Sequence, residues 1–127
     1  MKLFYIAAGG AIGALFRYLV SGAVHTFFNG MYPLGTLVVN VTGSFAIGFL
    51  WYLCEEMIIP QHIKTFAFIG ILGGFTTFST YMLETLNLLR EGEFNLAILN
   101  CVLNNFIGVA LVFFGFVLSQ YFLNLFK

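Results

Sequence analysis

Hydrogen-bond donors recur inside the apolar segments of this sequence. Thr36, Asn40 and Ser44 follow one another at four-residue spacing, which places them on one face of a helix. The Asn40 amide offers two N–H donors without carrying a full charge. Such a group suits an anion that must be held and then released. A structural hydrogen bond between helices is the alternative, and the residue pattern leaves both interpretations open.

A second set of donors lies in residues 73–81, which read GGFTTFSTY. The two adjacent glycines each cost roughly 1 kcal/mol of helix propensity relative to alanine. The four serine and threonine residues can bond their own backbone instead of continuing the helix. In hydrocarbon, a broken helix persists only where protein, water or an ion satisfies the freed backbone groups. We therefore predict a break near residues 73–78 with an ion or substrate site at mid-membrane; a packing kink without a ligand is the alternative.

Aromatic rings and further amides accompany these donors. Phe78 and Tyr81 are three residues apart, so they share a face where the helix resumes. The edge of an aromatic ring is electropositive and can approach a small anion; core packing is the alternative. Asn100 and Asn104 share a face of the last apolar segment, and Asn105 follows. This polar stripe either lines a pore or joins helices through hydrogen bonds.

Charged side chains are rare within the apolar segments. Arg17 is the only basic residue well inside one. A charge at depth costs from roughly 3 kcal/mol upward, so Arg17 must snorkel, pair with carbonyls or face a wet vestibule, where it can attract anions. Glu84 is the only carboxylate at such a position. No nucleophile–histidine set and no carboxylate pair is arranged for catalysis, so we predict that the protein is not an enzyme.

The elements that carry these residues follow from the composition. The 127 residues are 61% hydrophobic and 8% charged, whereas soluble domains are about 25% charged, so this is an all-α integral membrane protein of the lipid bilayer. A formal charge of zero without a basic cluster excludes nucleic acid as a partner. The short connections predict a single four-helix transmembrane domain over residues 1–127. The four transmembrane helices are expected at about 3–25, 35–54, 64–89 and 94–126.

Basic residues are nearly balanced between the two ends of these spans. With four spans, Lys2, Lys64 and Lys127 lie on one side, and Arg90 with Arg17 on the other. The Lys/Arg bias sets the orientation, and a bias this small hardly selects one. Insertion in both orientations allows an antiparallel dimer; an ordinary topology is the alternative.

Pairs of small residues four positions apart predict close contacts between helices. These pairs are Gly9 with Gly13, Ser44 with Gly48, and Gly70 with Gly74. Four helices alone rarely enclose a pore that also seals against lipid, so we expect this tight bundle to belong to an oligomer.

Three motifs, taken in order along the chain, resemble those of the CrcB/Fluc fluoride channels. They are residues 9–14 with Arg17, residues 35–37 with Asn40, and residues 73–81. The resemblance covers most of the chain and implies an antiparallel, dual-topology homodimer in a bacterial-type inner membrane, with two pores that export fluoride passively from the cytoplasm. It also implies a structural Na⁺ at the dimer interface, held by the backbone carbonyls of Gly73 and Thr76.

The resemblance further implies a fluoride pathway of ring edges, amides and hydroxyls. Its members are Phe78 and Tyr81 at the family's pore phenylalanines, Asn40 at its pore asparagine, Ser79 and Thr80 at hydroxyls near the ion, and Asn105 at the start of the polar track on the last helix. We add Arg17 as a group that attracts anions. Mild donors of this kind can replace part of the water around fluoride without trapping it.

Two positions depart from the family pattern. Tyr81 stands where the family usually has phenylalanine, which adds a hydroxyl beside the pathway. Val109 replaces an expected serine, so that part of the last helix lacks its polar group.

Two other functions suit a chain of this size. A small four-helix proton-coupled multidrug transporter needs a titratable carboxylate in the membrane, typically in helix 1, and helix 1 here has none. A non-transporting membrane scaffold needs no ion site. It predicts that Asn40 and Phe78 can be replaced without loss of ion flux.

Overall fold

A computed structural model of the chain describes residues 1–126, and all regular structure in this range is helical. Four helical segments are long and apolar enough to cross a membrane: Lys2–Phe27, Leu34–Glu56, Gln61–Arg90 and Phe94–Leu125. The predicted all-helical class with four membrane-spanning helices is confirmed. Lys127, which the charge argument places beside Lys2 and Lys64, lies outside the described residues.

The first two spans are uninterrupted, and the last two are divided. The elements are α1 (Lys2–Phe27), α2 (Leu34–Glu56), α3 (Gln61–Lys64), a π-helical segment (Thr65–Leu72), α4 (Gly73–Phe75), α5 (Ser79–Arg90), α6 (Phe94–Val102), a second π-helical segment (Leu103–Ile107) and α7 (Gly108–Leu125). Such π-helical segments are wider than the α-helix and occur often at functional sites.

The third span leaves helical geometry between α4 and α5. Thr76 has φ −80° and ψ 157°, which is extended backbone. Both the N–H and the hydroxyl of Thr76 donate to the carbonyl oxygen of Leu72 at 3.2 Å. Helical residues resume at Ser79. Thr76, Thr77 and Phe78 are therefore the nonhelical residues, and they lie within the glycine- and hydroxyl-rich stretch.

Small residues bring the spans into backbone contact, as the spacing predicts. A Cβ atom added at Gly9 would lie 2.8 Å from the Cα of Gly70, so the first and third spans touch there. A Cβ at Gly48 would strike the carbonyl oxygen of Val112, where α2 crosses α7. A Cβ at Gly74 would lie 2.7 Å from the carbonyl oxygen of Gly10. The predicted close contacts at the small-residue pairs are confirmed, because only residues without a side chain permit this approach.

The outer faces of the bundle carry large apolar side chains. Tyr18 and Leu19 of α1 are exposed, as are Phe106 and Phe113 of the fourth span. A surface of this kind suits hydrocarbon or a second protein subunit rather than water.

Candidate ion pathway

The side chain of Asn40 is hydrogen-bonded to the backbone of the third span at the break between α4 and α5. Asn40 Nδ2 donates to the carbonyl oxygen of Thr77 at 3.0 Å, and the Thr77 N–H donates to Asn40 Oδ1 at 2.8 Å. One amide thereby satisfies both backbone polar groups of a residue that has left the helix. Unsatisfied backbone groups cost several kcal/mol each in hydrocarbon, so Asn40 stabilises the break.

A chain of amides supports Asn40 from the fourth span. Asn40 Nδ2 donates to Asn104 Oδ1 at 3.0 Å. Asn104 Nδ2 donates in turn to the side-chain and backbone oxygens of buried Asn100, at 2.9 and 2.8 Å. Asn100 Nδ2 donates to Thr85 Oγ1 at 3.0 Å. The stripe of Asn100 and Asn104 therefore joins helices, which is one of the two roles that its spacing predicts.

Thr77 and Arg17 satisfy the helix ends on either side of the break. The Thr77 hydroxyl oxygen accepts a hydrogen bond from the backbone N–H of Thr80 at 3.2 Å, which caps the first turn of α5. Arg17 Nε donates to the carbonyl oxygen of Gly74 at 3.2 Å. A cation is favourable at the C-terminal end of a helix. Of the three predicted outcomes for Arg17, the structure shows the pairing with a carbonyl.

The backbone carbonyls of Gly73 and Thr76 at the break accept no hydrogen bond from the described residues. The Gly73 carbonyl loses its helical partner because the Thr77 N–H turns to Asn40 instead. Gly73 is exposed and Thr76 is half-buried. The break therefore presents backbone oxygen atoms, which are ligands that hard cations prefer.

The two aromatic residues of the predicted pathway contact each other edge to face. The ring centroids of Phe78 and Tyr81 are 5.6 Å apart, with an interplanar angle of 87°. Phe78 is 70% exposed, whereas Tyr81 is only 4% exposed. Asn105 Nδ2 donates to the Tyr81 hydroxyl at 2.9 Å and to the carbonyl oxygen of Cys101 at 2.8 Å. The hydroxyl that Tyr81 adds is thus a partner for Asn105.

The predicted site residues divide between two cavities. A cavity of about 270 Å³, the amide cavity, is lined by Asn40, Phe78, Tyr81 and Asn105 among others. A larger one of about 1080 Å³, the α1 cavity, is lined by Arg17 and Thr80 among others. Thr77 lines both. The break therefore separates the two cavities.

Gly73, Ser79 and Val109, which the sequence analysis singled out, line neither of these cavities. Ser79 is exposed at the start of α5 and lines neither cavity. Val109 is exposed on α7, so the position where a serine was expected faces outward.

Comparison with known proteins assigns the chain to a family. The family model described as CrcB-like protein, Camphor Resistance (CrcB), matches residues 4–116. The chain belongs to the CrcB family. This confirms the resemblance drawn from the three motifs.

Three curated relatives, each named fluoride-specific ion channel FluC, match this CrcB chain over almost all of its length. The relative from Magnetococcus marinus is 42% identical over 121 residues, covering 94% of this chain and 98% of the relative. The one from Parabacteroides distasonis is 39% identical over 127 residues, covering 100% and 99%. The one from Aquifex aeolicus is 40% identical over 119 residues, covering 93% and 96%. Together with the four spans, these matches make the CrcB chain a multi-pass membrane protein.

Sequence reasoning missed the central position of Thr77 in this CrcB chain. Its backbone contacts Asn40 and its hydroxyl contacts Thr80, yet the residue type alone does not distinguish it from Thr76 beside it. The four-residue spacing of Asn100 and Asn104 was visible, but not their connection to Asn40. That connection depends on how α2 packs against the fourth span.

Polar groups also collect at the C-terminal end of the third span, near Arg90. A chamber of about 200 Å³ is lined by His25, Tyr32, Glu84, Asn87 and Glu91 among others. Glu84 Oε2 accepts a hydrogen bond from Thr36 Oγ1 at 3.0 Å. Glu84 Oε1 and the Tyr32 hydroxyl are buried without a partner among the described residues. Burial, followed by the negative charge of Glu84, raises the pKa of Tyr32 in the connection between α1 and α2 to about 12.

This shift predicts a loss of stability in strong alkali. The Tyr32 pKa in the folded chain, about 12, exceeds the ordinary value of 10.0, so the folded state retains a proton that the unfolded state releases. The stability that protonated Tyr32 contributes is complete below the ordinary pKa of 10.0, and it is lost as the pH rises through the folded pKa of about 12. We expect the unfolding temperature of the wild type to fall more steeply over this range than that of Tyr32→Phe. Parallel curves for the two proteins would contradict the assignment to Tyr32.

Proposed function

We propose that this chain is a fluoride-selective channel that gives passive export of fluoride from the cytoplasm across the cell membrane. The observation that carries the proposal is the match to relatives named fluoride-specific ion channel over nearly the full length of both chains. A channel of this kind makes and breaks no covalent bond, so the protein is not an enzyme. The Magnetococcus, Parabacteroides and Aquifex relatives carry neither a multidrug-transporter nor a scaffold name.

The proposed pathway uses weak donors beside the break. The exposed ring of Phe78 offers an electropositive edge, and Ser79 and Thr80 offer hydroxyls. Both amide donors of Asn40 are engaged within the chain, so in this conformation its role is to shape the pathway. A channel must attract an ion enough to replace its water but release it readily. Neutral donors and ring edges provide such moderate attraction.

A second copy of the chain would complete the pathway. Phe78 and Ser79 are exposed, so a single chain forms only one wall around them. The near balance of lysine and arginine supports insertion in both orientations. We propose an antiparallel homodimer in which each chain closes the pathway of its partner. Two-fold symmetry then gives two pores that run in opposite directions.

The free carbonyls at the break suit a structural sodium ion at the dimer interface. Thr76–Phe78 lies near the middle of the span Gln61–Arg90, which corresponds to mid-membrane. The carbonyl oxygens of Gly73 and Thr76 lack partners among the described residues, and a two-fold axis would bring together two from each chain. When bound, Na⁺ would supply positive charge that balances the partial negative charge of these carbonyl oxygens. It would thereby link the third spans of the two chains.

Fluoride resistance in cells tests the function. Bacteria without a fluoride exporter of their own are expected to resist fluoride when they produce this chain, and to retain less fluoride by electrode measurement. Export of cationic drugs driven by a proton gradient, without fluoride resistance, would favour the multidrug alternative instead.

The Phe78→Ile variant is expected to lose this resistance while its amount in the membrane is unchanged. The substitution removes a ring edge from an exposed position and opens no core cavity. Phe113→Ile is the matched control, because Phe113 on α7 is also 70% exposed and lies outside the amide cavity. Unchanged resistance in Phe78→Ile would remove Phe78 from the pathway.

A further inference from the structure

A separate amphipathic cavity lies between the end of α2 and the start of the third span. This cavity, the Trp51 cavity, has a volume of about 330 Å³. Trp51 and Phe68 form its aromatic wall, with ring centroids 5.4 Å apart and an interplanar angle of 72°. Glu55, Lys64 and Thr65 supply its polar wall. The volume is in the range of small-molecule sites, and the cavity shares no lining residue with the amide cavity or the α1 cavity.

The hydroxyl of the buried residue Thr65 has no partner in the part of the chain that the structure describes. Thr65 is 3% exposed, and no hydrogen bond among residues 1–126 reaches its Oγ1. The hydroxyls of Thr42 and Thr85 instead donate to the carbonyl four residues earlier, at 2.7 and 2.9 Å. The Thr65 hydroxyl is absent from the buried side-chain atoms without a partner, so its oxygen is open to the cavity rather than enclosed by protein. Because Thr65 lines the Trp51 cavity, a bound molecule there can supply the partner.

The cavity also carries two opposite charges that do not neutralise each other. Glu55 and Lys64 both line it, and no ion pair joins them among the described residues. Gln61 adds an amide beside them. A purely anionic ligand would meet the carboxylate of Glu55, and a purely cationic one the ammonium of Lys64. A ligand with both charges complements the pair.

The position of the cavity indicates that this ligand is a lipid. Glu55 is the penultimate residue of α2, and Gln61 is the first of the third span, so the polar wall lies at the level where spans end. Tryptophan is enriched at this membrane–water boundary. Ile69, one turn beyond the polar wall, is exposed and also lines the cavity, which leaves an apolar side for an acyl chain.

We propose that the Trp51 cavity binds the headgroup of a zwitterionic phospholipid with a primary ammonium, of the phosphatidylethanolamine class. The ammonium donates hydrogen bonds to Glu55. The phosphate accepts them from Lys64 and from the hydroxyl of Thr65, and the acyl chain lies along Phe68. A choline headgroup has no N–H to donate to Glu55, so ethanolamine is favoured over choline.

The single tryptophan makes the cavity directly observable, because Trp51 is the only one in the chain. The full-length protein is reconstituted in vesicles that contain phosphatidylethanolamine, phosphatidylcholine or phosphatidylglycerol brominated on the acyl chains, each over the same series of mole fractions. We expect quenching of Trp51 fluorescence to saturate at about tenfold lower mole fraction for the ethanolamine lipid, since charge-assisted hydrogen bonds are involved. Equal quenching by all three lipids, or stronger quenching by the glycerol lipid, would overturn the proposal.

Variants separate the headgroup contacts from general access of lipid to Trp51. Glu55→Gln and Lys64→Gln are each expected to remove the preference for the ethanolamine lipid, and Thr65→Val to weaken it. Glu91→Gln is the matched control, because Glu91 lies at the other end of the third span and outside this cavity. Retention of the full preference in both Glu55→Gln and Lys64→Gln would also overturn the proposal. Fluoride flux is not the readout, so the result is independent of the proposed pore.

Discussion

Replacement of Asn40 by alanine is expected to reduce fluoride efflux from proteoliposomes by about 100-fold. The substitution removes the partner of both the N–H and the carbonyl of Thr77. Each buried group left unpaired costs about 1–3 kcal/mol. If the conducting conformation loses about 2.7 kcal/mol of stability, its population falls about 100-fold. The break would then relax toward other backbone conformations, and the wall of the amide cavity would change shape.

Two measurements isolate the role of Asn40. Thr42→Ala is the matched control on the same helix, because the exposed Thr42 hydroxyl bonds only carbonyls of its own helix; its efflux should equal that of the wild type. Hydrogen exchange at the backbone amide of Thr77 should accelerate in Asn40→Ala and stay unchanged in Thr42→Ala. Wild-type efflux in Asn40→Ala would show that the pathway does not depend on this amide.

Addition of one methyl group at Gly48 is expected to destabilise the bundle strongly. The Cβ of Gly48→Ala would strike the backbone of Val112, with its carbonyl carbon at 2.8 Å and its Cα at 3.0 Å. Backbone atoms of a packed helix cannot swing aside as a flexible side chain can, so α2 and α7 must separate. Overpacking typically costs about 1–3 kcal/mol. We expect a lower unfolding temperature in detergent, and more than one peak on size-exclusion chromatography.

Gly22→Ala is the control for this substitution. A Cβ at Gly22 on α1 meets nothing within 4 Å. Alanine improves helix propensity by roughly 1 kcal/mol, so this variant should be as stable as the wild type or slightly more stable. Equal unfolding temperatures for Gly48→Ala and Gly22→Ala would contradict the close crossing of α2 and α7.

The parts of the fold that follow from local sequence could be predicted. Long apolar runs require four spans. Small residues four positions apart mark where backbones touch; Gly9 of one such pair, for example, contacts Gly70 of another. The glycine- and hydroxyl-rich stretch carries the nonhelical residues because its side chains compete for helical acceptors, as Thr76 does at Leu72. These are properties of one segment, and a sequence displays them directly.

The parts of the site that depend on pairing between segments could not be predicted. Asn40 was expected to donate either to an anion or to another helix, and which backbone it meets depends on how α2 packs against the third span. Asn105 finds the Tyr81 hydroxyl 24 residues earlier in the chain, a contact that no local pattern contains. Tertiary packing decides these partners. The same holds for the second wall of the pathway, which a single chain does not supply.

The most direct test of the proposed function is fluoride efflux from liposomes that contain the purified protein, followed with a fluoride electrode beside an identical chloride measurement. The exposed ring of Phe78 and the neutral donors around the break predict rapid fluoride release with negligible chloride release. Absence of fluoride release from folded, reconstituted protein, or release of chloride at a similar rate, would contradict a fluoride-selective channel.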